Sequence, residues 1–380
     1  MPFNLLDLPN ELQYSIVDFV AQTPDLLEFC CTNRQLYNIC IRRIYGRLRL
    51  KDAAQILQCC RSLIAREEAA NSVRDACYPK WAFEAFHSLV GRAIRGLKNL
   101  RVFASYNSLS IFKELLDTRF PLLVECALPS APEIVSDFNL DWLLRFTTPM
   151  EPLTLPSLQY FVGPYAVAHA VVPGSRTSSL SIYWDSKVFS EGPPPTVPAS
   201  NVEILQLENY IARWDLSLLS IVAPYAPHLE NLGFLNVADD RDKDAFISAI
   251  DSILPQFLNL IRLDLDSPAH DDDNDMEDEF EVVCRWSTNC PTLSIISFTN
   301  ENRWIQIAGV WFPCETNDIT ARIDWLFKKV FTCPSLPIEY RAFAQMLAGA
   351  EGMRTLQDAF VKSGCMPSFR FETLGGLVLE

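Results

Sequence analysis

The chain has 380 residues, 49% of them hydrophobic and 21% charged, which is enough for a large core in more than one structural unit. Its formal net charge of -15 argues against nucleic-acid backbones and anionic membranes as partners, since both attract basic surfaces. There is no run of about 18 apolar residues, so no membrane span is expected.

The opening residues carry neither the basic region nor the long apolar run of a secretory leader. An intracellular protein is expected, in the cytoplasm or nucleus. Its 12 cysteines are irregularly spaced with no CxxC, so reduced structural thiols are expected.

Residues 1–50 predict three short helices. Pro9 suits a first helical position, with Glu11 near the positive end of the helix dipole. Thr23-Pro24-Asp25 reads as the start of a second helix, and Thr32 with Gln35 has capping-box spacing for a third. On the first helix, Leu12, Ile16, Val17, Phe19 and Val20 cover an apolar arc wider than one core contact requires, with Tyr14, Ser15 and Asp18 opposite. About fifty residues bury too little surface to be comfortably stable alone. Either part of this arc is reserved for a partner, or the helices pack entirely onto the domain that follows. The pattern leaves both open.

The run Leu5-Leu6-Asp7-Leu8-Pro9-Asn10-Glu11-Leu12, followed by Ile16 and Phe19, resembles the opening of an F-box. Asp25-Leu26-Leu27 resembles its second block, Thr32-Asn33-Arg34-Gln35-Leu36-Tyr37 its third, and Ile44-Tyr45-Gly46-Arg47-Leu48-Arg49-Leu50 the exit common in fungal members. Asn33 stands where cysteine is usual, and Glu28 where a small apolar residue is common. The resemblance implies docking on the Skp-type adaptor of a cullin–RING ubiquitin ligase. It nominates Leu8, Pro9, Leu12, Ile16, Phe19, Leu26 and Leu27 as adaptor-binding residues or their immediate support.

Residues 51–96 predict a helical connector: Ala53, Ile56, Leu57 and Cys60 recur at helical spacing, as do Phe83, Phe86, Leu89, Val90, Ala93 and Ile94. From 97 to 380 a phrase recurs: an apolar residue, two variable ones, an apolar, one variable, an apolar. Its clear copies start at Val202, Leu229, Leu260 and Leu293, spaced 27, 31 and 33 residues apart; weaker echoes start at Leu97 and Leu158. This resembles a leucine-rich repeat, though the usual asparagine turn is missing and the early spacing is irregular. The expected fold is α/β: a three-helix F-box, the connector, then a solenoid with one strand per repeat and backing helices such as 244–254 and 319–330. An irregular α/β domain with a few similar strands is the alternative.

On the solenoid reading, residues alternating with the core face outward along the concave side. They are Ile204, Gln206 and Glu208, then Asn231 and Gly233, then Arg262, Asp264 and Asp266, then Ile295, Ser297 and Thr299. Gln206, Glu208, Asn231, Arg262, Asp264, Asp266, Ser297 and Thr299 are the candidate substrate-binding set. The acidic run 270–279 predicts a solvated loop; its EF-hand-like spacing fails at Met276 and Val282. Gly192-Pro193-Pro194-Pro195 predicts a stiff extended loop, and 364–380 an end cap.

No catalytic constellation is present. His87, His169, His228 and His270 form no metal-spaced pair, Cys284 and Cys290 lack a second ligand pair, and no nucleophile elbow or phosphate loop occurs. No cofactor or metal is expected. The reading is a non-catalytic receptor joining an unknown protein substrate to the ligase. The alternatives are an adaptor-binding scaffold without a ubiquitination role and, with least support, an enzyme built on the repeat domain.

Overall fold

The computed structural model describes residues 8–20, 26–50, 52–78, 87–105, 120–128, 155–184, 196–211, 213–236, 243–266, 276–298, 302–307, 310–315, 325, 369–372 and 376–379. The fold is mixed α/β on mostly parallel strands and divides into two compact units, 1–185 with 197–204, and 186–196 with 205–380.

The first unit opens with three helices, α1 (Asn10–Val20), α2 (Leu26–Thr32) and α3 (Arg34–Gly46). Asn33, in extended conformation, caps α3 by accepting the Gln35 N–H at 2.7 Å. Thr32 was the expected cap, but its hydroxyl instead donates to the Phe29 carbonyl at the end of α2. The segment 21–25, where the second helix start was expected, lies outside the described residues.

Strand β1 (Arg47–Arg49) follows α3 directly; α4 (Ala53–Ala65), α5 (Glu67–Ser72), β2 (Asp75–Tyr78) and α6 (His87–Ile94) come next. The connector is therefore not helical alone. The parallel sheet starts at Arg47, and β2 runs where only helices were expected. With three and four residues, these strands are too short to give a period of two against the helical pattern around them. Beyond them lie β3 (Val102–Ser105), β4 (Glu125–Ala127), β5 (Tyr160–Pro164), α7 (Tyr165–Val171) and β6 (Ser179–Tyr183). Strands β1 to β6 pair in chain order, all parallel. One register row (Leu48, Ala76, Phe103, Cys126, Phe161, Leu180) is buried along its length.

The second unit holds β7 (Gln206–Ile211), α8 (Ser217–Val222), β8 (Asn231–Asn236), α9 (Lys243–Ile253), β9 (Arg262–Asp266), α10 (Met276–Asn289), β10 (Ile295–Ser297), β11 (Arg303–Ile307) and β12 (Val310–Glu315). Here β7 to β10 are parallel in chain order, and β10, β11 and β12 continue antiparallel. The helix expected at 244–254 is α9. The one expected at 319–330 lies outside the described residues except for Trp325, which is buried against Phe280 and Trp304. Strands β13 (Phe369–Glu372) and β14 (Gly376–Leu379) pair antiparallel as a separate two-stranded sheet.

The register corrects the phase of the repeat. Leu207 pairs with Leu232 and Leu232 with Leu263, which pairs with Ile296. The copy at β7 is therefore Ile204-Leu205-Gln206-Leu207-Glu208-Asn209, two residues later than the apolar pattern indicates. Ile204 is a buried lead residue like Leu229, Leu260 and Leu293, not a concave-face residue. The same frame extends through the first unit. Val73, Leu100, Leu123, Leu158 and Thr177 are buried leads, each three residues before the buried strand residue Ala76, Phe103, Cys126, Phe161 or Leu180.

A side-chain link recurs just before the lead residue. Asn99 donates to the Asn71 carbonyl at 2.8 Å, Ser157 to Pro121 at 2.7 Å and Asn259 to Pro227 at 2.7 Å. Each bond reaches the segment just before the preceding strand and satisfies a carbonyl that no strand ladder uses.

The described part of the acidic run is helical, where a loop was expected. Residues 267–275 lie outside the described residues, but Met276 begins α10, with Glu277, Asp278 and Glu279 in its first turn, where the helix dipole favours carboxylates. Glu279 is buried and accepts hydrogen bonds from Asn302 Nδ2 (3.0 Å) and Trp304 Nε1 (2.9 Å), which bind α10 to β11.

Candidate functional site

Helix α1 is held on α3 by one side and leaves another side open. The Pro9 carbonyl accepts the N–H groups of Leu12 and Gln13, which starts the first turn. On the inner side Val17 is 2% exposed, in a core with Cys30, Ile39 and Cys40. Leu26, Phe29, Tyr37 and Ile44 pack against that core. Buried Gln13 donates to the Leu8 carbonyl at 2.7 Å and accepts from Gln35 Nε2 at 3.3 Å. Along the flank, Asp18 pairs with Arg43 at 3.2 Å, and the Tyr14 hydroxyl accepts from Arg42 at 3.0 Å.

The remaining side carries Leu12, Ile16 and Phe19, spaced i, i+4, i+7 and so forming one stripe. Leu12 is 51% exposed and Phe19 72%, and Ile16 is partly exposed. Fully burying side chains of this size stabilises by roughly 1.5–3 kcal/mol each. A contiguous stripe left in water is therefore a surface that a partner gains by covering. Pro9 is exposed and Leu8 half-buried just before the helix. Leu26 belongs instead to the supporting core, and the Leu27 side chain lies outside the described residues. The wide arc read from the sequence thus divides: Val17 turns inward, and Leu12, Ile16 and Phe19 turn outward.

The three helices are also tied to the sheet. Helix α3 runs straight into β1, and Arg66, between α4 and α5, donates to the Tyr37 hydroxyl on α3 at 3.0 Å. Arg49 on β1 makes a two-point bond to Asp75 on β2, both contacts 2.8 Å.

In the second unit the candidate face forms on one side of the sheet. Gln206, Asn231, Arg262 and Ile295 share one register row, and Glu208, Gly233, Asp264 and Ser297 the next. Asp266 pairs with Leu235, itself paired with Tyr210. These side chains are exposed or half-buried, except that Gly233 offers only backbone. Thr299 lies outside the described residues. Asp264 accepts from Arg262 Nε at 2.6 Å and from Ser297 Oγ at 2.7 Å, and Ser297 Oγ accepts from Arg303 Nε at 3.3 Å. Four side chains on three strands are thereby fixed as one polar group. Tyr210, Leu235 and Arg303 were missed by the sequence reading. The first two continue the same alternation past the six-residue phrase; Arg303 arrives on an antiparallel strand that the repeat does not announce.

Several thiols are held protonated. Burial pushes Cys60 and Cys126 up to about 12; burial also raises Cys40 to about 12, reinforced by its hydrogen bond with Cys30. Such thiols are inert packing groups at neutral pH.

No known family model matches the sequence, and no curated protein matches it significantly. What the fold itself defines is a mixed α/β protein on mostly parallel strands. No helix among the described residues is long and apolar enough to cross a membrane.

Proposed function

We propose that this chain is an F-box-type substrate receptor. Its N-terminal helices dock on a Skp-type adaptor and thereby on a cullin–RING scaffold, in the cytoplasm or nucleus. The strands beyond them form a leucine-rich-repeat-like solenoid whose open face binds a protein substrate. The observation that carries the reading is the exposed Leu12–Ile16–Phe19 stripe, lying on the same residues as the F-box-like motif. A helix pinned on one side by Val17, Asp18 and Tyr14 keeps its apolar side presented without a folding partner of its own.

The solenoid half of the reading draws on the recurring buried lead residues and the Asn99, Ser157 and Asn259 links. The polar group on β9 to β11 gives the open face a fixed pattern of charges, which favours selective contacts over greasy ones. The receptor itself carries no chemistry; ubiquitin transfer belongs to the RING-bound conjugating enzyme.

Co-purification with a recombinant Skp-type adaptor and cullin–RING scaffold tests the proposal. A stoichiometric complex is expected, and its absence overturns the reading. Proteins retained by the repeat units that accumulate when the chain is depleted mark a receptor; retained proteins of unchanged abundance mark a scaffold.

A further inference from the structure

A cluster of arginines stands where the sheet of the first unit meets its N-terminal helices. The Gly46 carbonyl, at the end of α3, accepts the Arg74 N–H at 3.0 Å, and the Arg74 carbonyl accepts the Arg101 N–H at 2.7 Å. Arg74 and Arg101 are therefore neighbours just ahead of β2 and β3, and Arg42 lies about one helical turn before Gly46. All three are exposed. Two of them are held by neutral groups. Arg42 Nη1 donates to the Tyr14 hydroxyl at 3.0 Å, and Arg74 Nη1 donates to the carbonyls of Asn71 at 2.6 Å and Val73 at 3.2 Å. The Arg101 side chain makes no bond among the described residues. Desolvation, followed by the charges of Arg101 and Arg42, lowers the Arg74 guanidinium below its usual value. The flanking cations are instead neutralised, Arg43 by Asp18 at 3.2 Å and Arg49 by Asp75 at 2.8 Å. Glu125, one residue further along β4, bonds to none of the three among the described residues.

We propose that Arg42, Arg74 and Arg101 form a seat for one phosphate monoester group. Guanidinium forks from three separate elements suit a tetrahedral anion, whose oxygens point in different directions, better than a planar carboxylate. Arg42 and Arg74 are each anchored through one terminal nitrogen, which leaves Nε and Nη2 to the ligand and reduces the side-chain freedom lost on binding. The neutralised flanks confine the excess charge to a single seat, whereas a nucleic-acid backbone needs a continuous basic track. A bound phosphate relieves the repulsion within the cluster and ties α3 to the starts of β2 and β3, so binding also raises stability.

Two probes of the full-length chain test this. One is fluorescence polarisation with a short labelled glycine–alanine peptide carrying one phosphoserine. The other is inorganic phosphate, followed by displacement of that peptide and by the melting temperature. The same peptide with glutamate in place of phosphoserine, and a labelled single-stranded oligonucleotide, serve as comparisons. Saturable binding of phosphate in at least one of the two forms is expected, with the glutamate peptide at least tenfold weaker. A peptide that binds far more tightly than inorganic phosphate assigns the group to a modified protein segment; phosphate that binds as well as the peptide, or alone, assigns it to a small soluble ester. Arg101→Gln weakens binding about tenfold with an unchanged melting temperature in phosphate-free buffer, and Arg101→Lys recovers part of the loss. Arg176→Gln, which removes the same charge elsewhere in the unit, leaves binding unchanged. Failure of both probes overturns the proposal, as does equal binding of the glutamate peptide, undiminished binding by Arg101→Gln or preference for the oligonucleotide. Leu12→Asp/Phe19→Asp, which addresses adaptor docking, leaves this binding intact, so the two readings fail separately.

Discussion

Val17 and Phe19 lie two positions apart on α1 and meet opposite surroundings: one is 2% exposed in the helical core, the other 72% exposed on the stripe. The difference separates folding from docking at single residues. Val17→Ala is expected to lower stability by about 1–2 kcal/mol, from lost burial plus the cavity it leaves. Phe19→Ala is expected to stay within about 0.5 kcal/mol of the native chain. Urea midpoints measure both, and a comparable loss for Phe19 would mean that the stripe is covered by the protein's own structure. Sequence gave the amphipathic arc but not its division, because the inward side is selected by what α2 and α3 bring to it. Cys30, Ile39 and Cys40 gather around Val17, and Arg42 and Arg43 hold Tyr14 and Asp18.

Among the elements, α9 and the β8, β9 and β10 strands were legible because their apolar residues fill every expected place. The copies at β3, β6 and β7 were hidden or misphased where a polar residue takes an apolar place, at Ser105, Thr177 and Asn209; at β5, where Gly163 takes that place, only the weaker echo from Leu158 shows. Asn209 is buried and donates from its side chain to the Gly233 carbonyl at 3.0 Å, so it occupies a core position as a cross-strand tie. A period count reads it as a break, and the frame slips by two. Gln206 and Glu208 of β7 still lie in the same register rows as Asn231, Arg262 and Asp264, because a shift of two preserves the face of a strand. The side-chain links ahead of the strands were not legible at all, since they join residues such as Asn259 and Pro227 that are neighbours only once the strands stack. Asn259→Ala is expected to cost about 0.5–1.5 kcal/mol and to speed amide exchange at the start of β9. Unchanged exchange there would reduce the link to a surface contact.

The buried thiols extend the argument to the stability of the molecule in alkali. Cys40, Cys60 and Cys126 are raised from 9.0 to about 12 in the fold, chiefly by burial. Below about pH 9 both folded and unfolded chains keep these protons, and stability is unaffected. Above it the unfolded chain releases protons that the fold retains, so stability falls as pH rises towards about 12. Urea midpoints across that window are expected to drop, with a shallower slope for Cys126→Ala; an identical slope would show that Cys126 does not contribute. At the scale of function, α3 leads without a break into β1, so an adaptor held on α1 would be set against the first strands of the sheet by short, bonded connections. Removing residues 1–50 would strip β1 from β2, so point substitutions on the stripe are the cleaner test.

The most direct measurement is therefore calorimetric titration of a purified Skp-type adaptor into the full-length chain and into Leu12→Asp/Phe19→Asp. The account predicts saturable one-to-one binding by the native chain and at least a hundredfold loss in the double variant, with its urea midpoint unchanged. Absence of binding by the native chain, or equal affinity in the variant, would contradict it.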